Sequence, residues 1–205
     1  MKKIYLLVCI SLLLFCIASC GSKNETANMD SKIRNNSEQL LNISLQEPFA
    51  EKPVLLTSVG QSADVEMVKQ LLTRANIEFT MNALATKDDI KDNKTLVLAI
   101  GGSSKGLGAA GIDANQEIDR INNLITSAKS AGLSIIALHI GGEARRGELS
   151  DKFIAPSFEN ADYAIVVSNG DKDGFMQQLA RNKSMPLALV NGMTDVMEPL
   201  EKAFK

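Results

Sequence analysis

Hydrophobic and polar positions fall into three regimes along the chain. Ile4 to Ile17 is apolar apart from Ser11, Gly21 to about Pro53 is polar without a sustained period, and from Val54 onward short apolar runs alternate with amphipathic stretches. That last regime predicts repeated βα units on a parallel sheet. Strands are predicted over Val54–Val59, Ile77–Met81, Leu96–Ile100, Ile135–Ile140, Tyr163–Val167 and Leu187–Val190. After the first, Ser62 or Asp64 can cap a helix that turns Val65, Val68, Leu71, Leu72 and Ala75 inward. Thr86 to Lys91 reads as one helical turn. The clearest helix opens at Asp113, which forms a capping-box pair with Gln116, presents Ile118, Ile121, Leu124, Ile125 and Ala128 as one stripe, and stops at Gly132. Asp173 to Arg181 is helical, with Phe175, Met176 and Leu179 inward, and a last helix ends near Phe204. Residues 101–111 and 139–148 read as loops.

Strands buried on both faces read as unbroken apolar runs. Leu96–Ile100 and Ile135–Ile140 are such runs and belong at the centre, whereas Ile77–Met81 mixes polarity and belongs at an edge. The expected fold is α/β, a flavodoxin-like (Rossmann-like) three-layer sandwich with strand order 2-1-3-4-5 and a sixth strand beyond. The dinucleotide-binding order is less favoured, because it would push Leu96–Ile100 to an edge.

The N-terminal regime carries a different message. Lys2 and Lys3 precede an apolar run that is too short for a transmembrane helix, which needs about 20 residues, and that suits a signal h-region. It ends in Ile17-Ala18-Ser19-Cys20-Gly21. This resembles the lipobox of bacterial lipoproteins, in which small residues admit the peptide to a protease pocket and the cysteine thiol takes a diacylglyceryl group. The resemblance implies a signal peptide over 1–19, a lipidated Cys20 with a flexible tether over 20–52, and the α/β domain over 53–205. Its implied location is the cell envelope, exported and membrane-anchored. A tether of about 30 residues has a root-mean-square reach of roughly 30 Å. Within it, Leu40, Leu41, Ile43 and Leu45 form an apolar patch that either packs on the domain or makes a short helix.

Composition narrows the chemistry. All three cysteines, Cys9, Cys16 and Cys20, lie at or before the cleavage site, so the domain has no disulfide, thiol nucleophile or cysteine metal site. A single histidine rules out a His-based metal cluster, and neither a metal nor a cofactor is expected. With a net charge of −2 and no tryptophan, the chain lacks the basic and aromatic character of a nucleic-acid binder. No protein partner can be named from these residues.

In doubly wound sheets ligands bind at the carboxyl ends of the strands where the order reverses, here between strands 1 and 3. Glycine and small polar residues gather there. The first strand delivers Gln61 and Ser62, the third delivers Gly102, Ser103, Ser104, Lys105 and Gly106, and the fourth delivers His139, Arg145 and Arg146. Backbone N–H groups of a glycine-rich turn plus an ammonium suit a carboxylate or phosphate, and arginine forks bind such oxyanions bidentately. Lys105, Arg145 and Arg146 are therefore candidates to share one small anion. Set against this, the glycines can serve a tight loop alone, Arg145 and Arg146 can pair with Glu143 and Glu148, and His139 can be a hydrogen-bonded rim residue. Gly106-Leu107-Gly108-Ala109-Ala110-Gly111 fits the G-x-G-x-x-G spacing, but it follows the third strand at a distance and is trailed by Asp113, where a pyrophosphate should sit. A Gly-Lys-Ser/Thr P-loop does not occur. Ser103 or Ser104 with His139 and Asp64 or Asp113 could form a triad, though neither serine stands in a G-x-S-x-G elbow.

The blocks PVLLTSVGQSADVE (53–66), GGSSKGLGAAGID (101–113) and HIGGEARRGELSDKF (139–153) resemble an uncharacterised family of bacterial exported proteins known only as a domain of unknown function. The resemblance spans roughly Pro53 to Phe204 and implies no activity. The expectation is therefore a membrane-anchored lipoprotein whose domain binds a small anionic ligand without catalysis. The alternatives are an exported hydrolase using His139 with a loop serine, or a protein-interaction module. Cys20→Ser is expected to leave the precursor unprocessed or to release the domain from the membrane fraction; a processed variant that still sediments with membranes would overturn the anchor.

Overall fold

Six strands, β1 (Val54–Val59), β2 (Phe79–Met81), β3 (Thr95–Ile100), β4 (Ser134–His139), β5 (Tyr163–Val167) and β6 (Leu187–Val190), lie parallel in one sheet. Their order is β2-β1-β3-β4-β5-β6, the flavodoxin-like arrangement that the polarity of the strands implies. The computed structural model describes residues 44–205; Cys20 and the patch residues Leu40, Leu41 and Ile43 lie outside the described residues. The register of β1 against β3 runs from Val54 beside Thr95 to Val59 beside Ile100, so both strands end level at one crest. β2 is shorter than predicted because the N–H of Ile77 donates to the Leu72 carbonyl and closes a turn instead of joining the ladder.

Helices cover both faces, as a parallel sheet requires. On one face lie α3 (Ala114–Ser130), α4 (Glu148–Phe158) and α5 (Phe175–Asn182), which bury Leu124, Phe153, Phe158 and Met176 against Leu96, Leu98, Ile135 and Val166. On the other lie α1 (Asp64–Arg74) and α6 (Met197–Ala203), which bury Val68, Leu72 and Leu200 against Leu56, Val97, Leu138 and Ile165. Alternate residues of each strand thus feed opposite cores. Asp113 caps α3 with the expected reciprocal pair to Gln116. The start of α1 differs from expectation: Ala63 is the N-cap, and Ser62 Oγ accepts from the Asp64 N–H at 3.3 Å.

Two helices lie where the pattern gave none. α2 (Ser104–Ala110) sits inside the glycine-rich stretch and buries only Leu107, so it carries no apolar period. Its ends make it: Ser103 Oγ accepts from Gly106 N–H at 3.0 Å, and Gly111 closes it in the left-handed region. α4 is masked in the sequence by its polar opening turn and by Pro156. The domain also begins ahead of Pro53. Ala50 is fully buried, the N–H groups of Phe49 and Ala50 donate to the Ala203 carbonyl at 3.0 and 2.8 Å, and Leu45 packs against the α1–α6 core.

One polar contact inside this frame was not anticipated. Glu117, on the inner side of α3, is fully buried. Its Oε1 accepts from the Gly60 N–H at 2.8 Å and from Gln61 Nε2 at 3.0 Å, while Arg120 donates to both carboxylate oxygens at 2.8 Å. Arg120 also donates to the carbonyls of Ser58 and Ala85. The pair rivets α3 to the end of β1. Removing one member of a buried pair strands its partner and typically costs about 3–5 kcal/mol. Glu117→Ala should lose stability of that order in urea unfolding, while exposed Asp119→Ala should stay within about 0.5 kcal/mol.

Candidate functional site

The crest formed by the carboxyl ends of β1, β3 and β4 gathers most of the residues that the sequence singles out, but it assigns them unequal roles. Gln61 is held internally, with Nε2 donating to the Ala83 carbonyl at 3.0 Å as well as to Glu117. Ser62 is buried beneath the first turn of α1. The Gly102 N–H donates to Ser150 Oγ at 3.0 Å, and Ser103 is the cap of α2. A Cβ on Gly106 would collide with the Gln61 carbonyl, so its lack of a side chain serves close packing. These five positions shape the crest, Gln61, Gly102 and Gly106 through contacts inside the fold and the two serine hydroxyls as acceptors from neighbouring N–H groups. The G-x-G-x-x-G match likewise falls inside α2 and at its C-cap, with no strand-to-helix turn of the dinucleotide kind.

Arg145 and Arg146 diverge. Arg146 donates through Nε to Asp151 at 2.8 Å, and its terminal nitrogens donate to the Gly170 carbonyl, Asp151 and Asp173. It also lies over the Phe175 ring, 5.5 Å from its centroid. The paired guanidinium holds the Asp173 carboxyl at about 2, and Asp173 followed by Asp151 keeps the arginine firmly charged. Arg146 therefore clasps α4 to the loop after β5. The shared-anion expectation is corrected on this point, because Arg146 has no donor left to give. Glu143 and Glu148, the expected partners of the two arginines, pair instead with Lys172 and Lys152.

Arg145 turns the other way, into the gap between β1, β3 and β4. Its Nε donates to both oxygens of Asp64 at 3.0 and 3.2 Å. Asp64 is buried, whereas the Arg145 side chain is 31% exposed. Gly101 and Gly141 flank the pair; a Cβ on Gly101 would stand 2.6 Å from Asp64 Oδ2, and one on Gly141 would strike the Arg145 stem. Neither terminal nitrogen of Arg145 donates a hydrogen bond to any described residue. Ser104 and Lys105 are exposed on the first turn of α2, and Lys105 makes no ion pair among the described residues.

His139 is fully buried rather than on the rim. Its Nε2 is 2.9 Å from the Arg145 carbonyl, and its Nδ1 has no partner among the described residues. Burial pushes its pKa below the ordinary histidine value. No triad assembles around it: its side-chain partner among the described residues is the Arg145 carbonyl, and none of Ser103, Ser104, Asp64 and Asp113 hydrogen-bonds to it. Among the described residues, no group of three or more His, Cys, Asp or Glu side chains could hold a metal ion. Two grooves lie away from the Asp64–Arg145 pair, one of about 410 Å³ beside β6 and α6, the other of about 590 Å³ near Leu45, Leu133 and Pro186.

Glu117, Arg120, Asp151 and Asp173 are the polar residues that the sequence reading missed. Glu117 had a visible signal, since it lies four and seven residues before Ile121 and Leu124 and so shares their inward face, with an opposite charge three residues on. Nothing local marks Asp173 as the partner of Arg146, twenty-seven residues away.

No curated protein matches this chain. Among solved structures it is similar to the psychrotrophic esterase EstA from a Pseudoalteromonas species, in a structure inhibited by monoethylphosphonate, at 11% identity and a TM-score of 0.32, covering 67% of this chain and 75% of that one. It is also similar to a GDSL-like lipase from Bacteroides thetaiotaomicron, at 11% identity and a TM-score of 0.32, covering 78% of this chain and 77% of that one. Likenesses this distant carry no argument about the chain. The family is shown by a match over residues 51–204: the chain belongs to the family described as a domain of unknown function, DUF6305.

Proposed function

We propose that this protein is an exported lipoprotein, tethered to a membrane through Cys20, whose domain captures a small oxyanion at the crest without transforming it. One observation carries the binding half. Arg145 is pinned through Nε by Asp64 while its two terminal nitrogens make no hydrogen bond with any described residue. A planar fork held at its neck and open at its tip matches the two oxygens of a carboxylate or phosphate. By contrast, Arg120 and Arg146 use their terminal nitrogens within the protein. Lys105, exposed and unpaired among the described residues, is the second positive charge we assign to the ligand.

The anchoring half rests on the sequence before the domain. Lys2, Lys3, the run to Ile17 and the lipobox-like Ile17 to Cys20 agree in order and length. No helix among the described residues is long and apolar enough to cross a membrane. The partners we assign are a membrane, through the lipid, and a small anion.

Calorimetry of the soluble domain against acetate, citrate and inorganic phosphate tests the binding half. Arg145→Lys keeps a cation for Asp64 but deletes the fork. It should weaken the bound anion tenfold or more, since a charge-assisted hydrogen bond contributes about 1.5–3 kcal/mol. Lys105→Ala should weaken it less and leave the melting temperature unchanged, because an exposed unpaired charge contributes little to stability. If the wild-type domain binds none of these anions, or if both variants bind as it does, the reading fails.

A further inference from the structure

The geometry points to His139 as a positioning residue for the Arg145 fork, holding the arginine's main chain from inside the fold while Asp64 holds its side chain from above. This rests on the reading that the fork binds an oxyanion. His139 is the last residue of β4 and sits beside Val166 of β5 in the register of the sheet. Beyond it the chain runs through Gly141 and the helical turn Gly142–Arg145, then doubles back until the Arg145 carbonyl lies 2.9 Å from His139 Nε2. A carbonyl only accepts, so Nε2 carries the proton and donates it. The six-residue excursion is thereby closed on itself, and its last residue is the arginine.

Three further contacts fix the closure. A Cβ on Gly170 would stand 3.0 Å from His139 Cε1, so the loop after β5 backs the ring on that side. Arg146 donates to the Gly170 carbonyl and ties the residue after Arg145 to the same loop. On the far side Gly141, having no side chain, lets the Arg145 stem cross it towards Asp64. The guanidinium is thus located at two points, its main chain by His139 and its Nε by Asp64, with the stem passing between them.

A purely space-filling role does not account for the residue type. A leucine or methionine would fill a fully buried position without leaving Nδ1 unpartnered among the described residues. The feature that distinguishes imidazole here is the N–H aimed at the Arg145 carbonyl.

Because His139 is the only histidine in the sequence, its tautomer can be read without ambiguity from long-range ¹H–¹⁵N spectra of the wild-type domain. A neutral ring protonated at Nε2 is required; one protonated at Nδ1 overturns the proposal without recourse to any variant. His139→Gln keeps an N–H at nearly the same reach, and His139→Leu removes it, with His139→Met as the substitute should the leucine variant not fold. The Arg145 Nε–Hε resonance, assigned by its loss in Arg145→Lys, should shift or broaden in the leucine or methionine variant and recover in His139→Gln. Binding of acetate, citrate or inorganic phosphate should fall at least tenfold and recover in the same pattern. An unchanged Arg145 resonance in a folded His139→Leu or His139→Met domain overturns the positioning role. Should the wild-type domain bind none of the three anions, the oxyanion reading falls by itself, while the resonance and the tautomer still decide what His139 does.

Discussion

A buried carboxylate must be satisfied or it destabilises the fold that buries it, and the crest of this domain is arranged around one such demand. Glu117 accepts hydrogen bonds from the Gly60 N–H, the Gln61 amide and the Arg120 guanidinium. Meeting it fixes the turn after β1, with Gln61 in the left-handed region. The fixed turn then positions its neighbours: the Gly60 carbonyl accepts from the Ser103 N–H, and Gly106 packs directly on the Gln61 carbonyl. α2 is a seven-residue helix with one buried apolar side chain, so it has little packing of its own to place it. Its location, and that of Lys105 on its first turn, follows from a glutamate on a different helix.

The remaining charges at the crest show a division of labour among three arginines of one chemical type. Arg120 and Arg146 are saturated internally, one stitching α3 to β1, the other stitching α4 to the loop after β5. Each is worth more as a clasp than as a ligand contact, because moving it would leave carbonyls and carboxylates without donors. Arg145 differs in geometry rather than chemistry, since its pairing with Asp64 uses the neck of the guanidinium and leaves the fork outward. The described chain meanwhile enters at the opposite end of the sheet, where Leu45 lines one groove with Leu133, Ser134 and Pro186 near the amino ends of β4 and β6. The first described residues therefore do not cross the crest.

How much of this was legible depended on whether the signal was local. Strand order was, because the apolar runs at β3 and β4 report burial on both faces residue by residue, and the polar β2 reports an edge. The capping box at Asp113 was legible for the same reason. α2 was not, since its glycines argue against a helix and only the hydrogen bond from Gly106 to Ser103 reveals one. The site was legible in position but not in roles. Glycines and small polar residues mark a crest in any doubly wound sheet, whereas the fate of an arginine is set by partners far away in sequence, such as Asp64, eighty-one residues before Arg145. His139 shows the same limit. At a strand end it reads as a rim residue, and only the return of the chain over it makes it fully buried.

What the crest can do chemically follows from which of its groups can change charge. Acid–base catalysis needs side chains whose protonation state alters within reach of a substrate, commonly two titratable groups whose surroundings drive their pKa values apart. Among the exposed groups of this crest are a guanidinium, which stays protonated in proteins, the Lys105 ammonium and the Ser104 hydroxyl. The histidine that could move a proton has Nε2 engaged by the Arg145 carbonyl and is sealed beneath the turn, where burial lowers its pKa. The serine nearest the glycine turn, Ser103, accepts a hydrogen bond as the cap of α2. A guanidinium held at a fixed position can attract an oxyanion, order its oxygens and release it without any bond being broken. That asymmetry, a fixed charge outside and the histidine ring sealed inside, is the physical ground on which we propose capture rather than turnover.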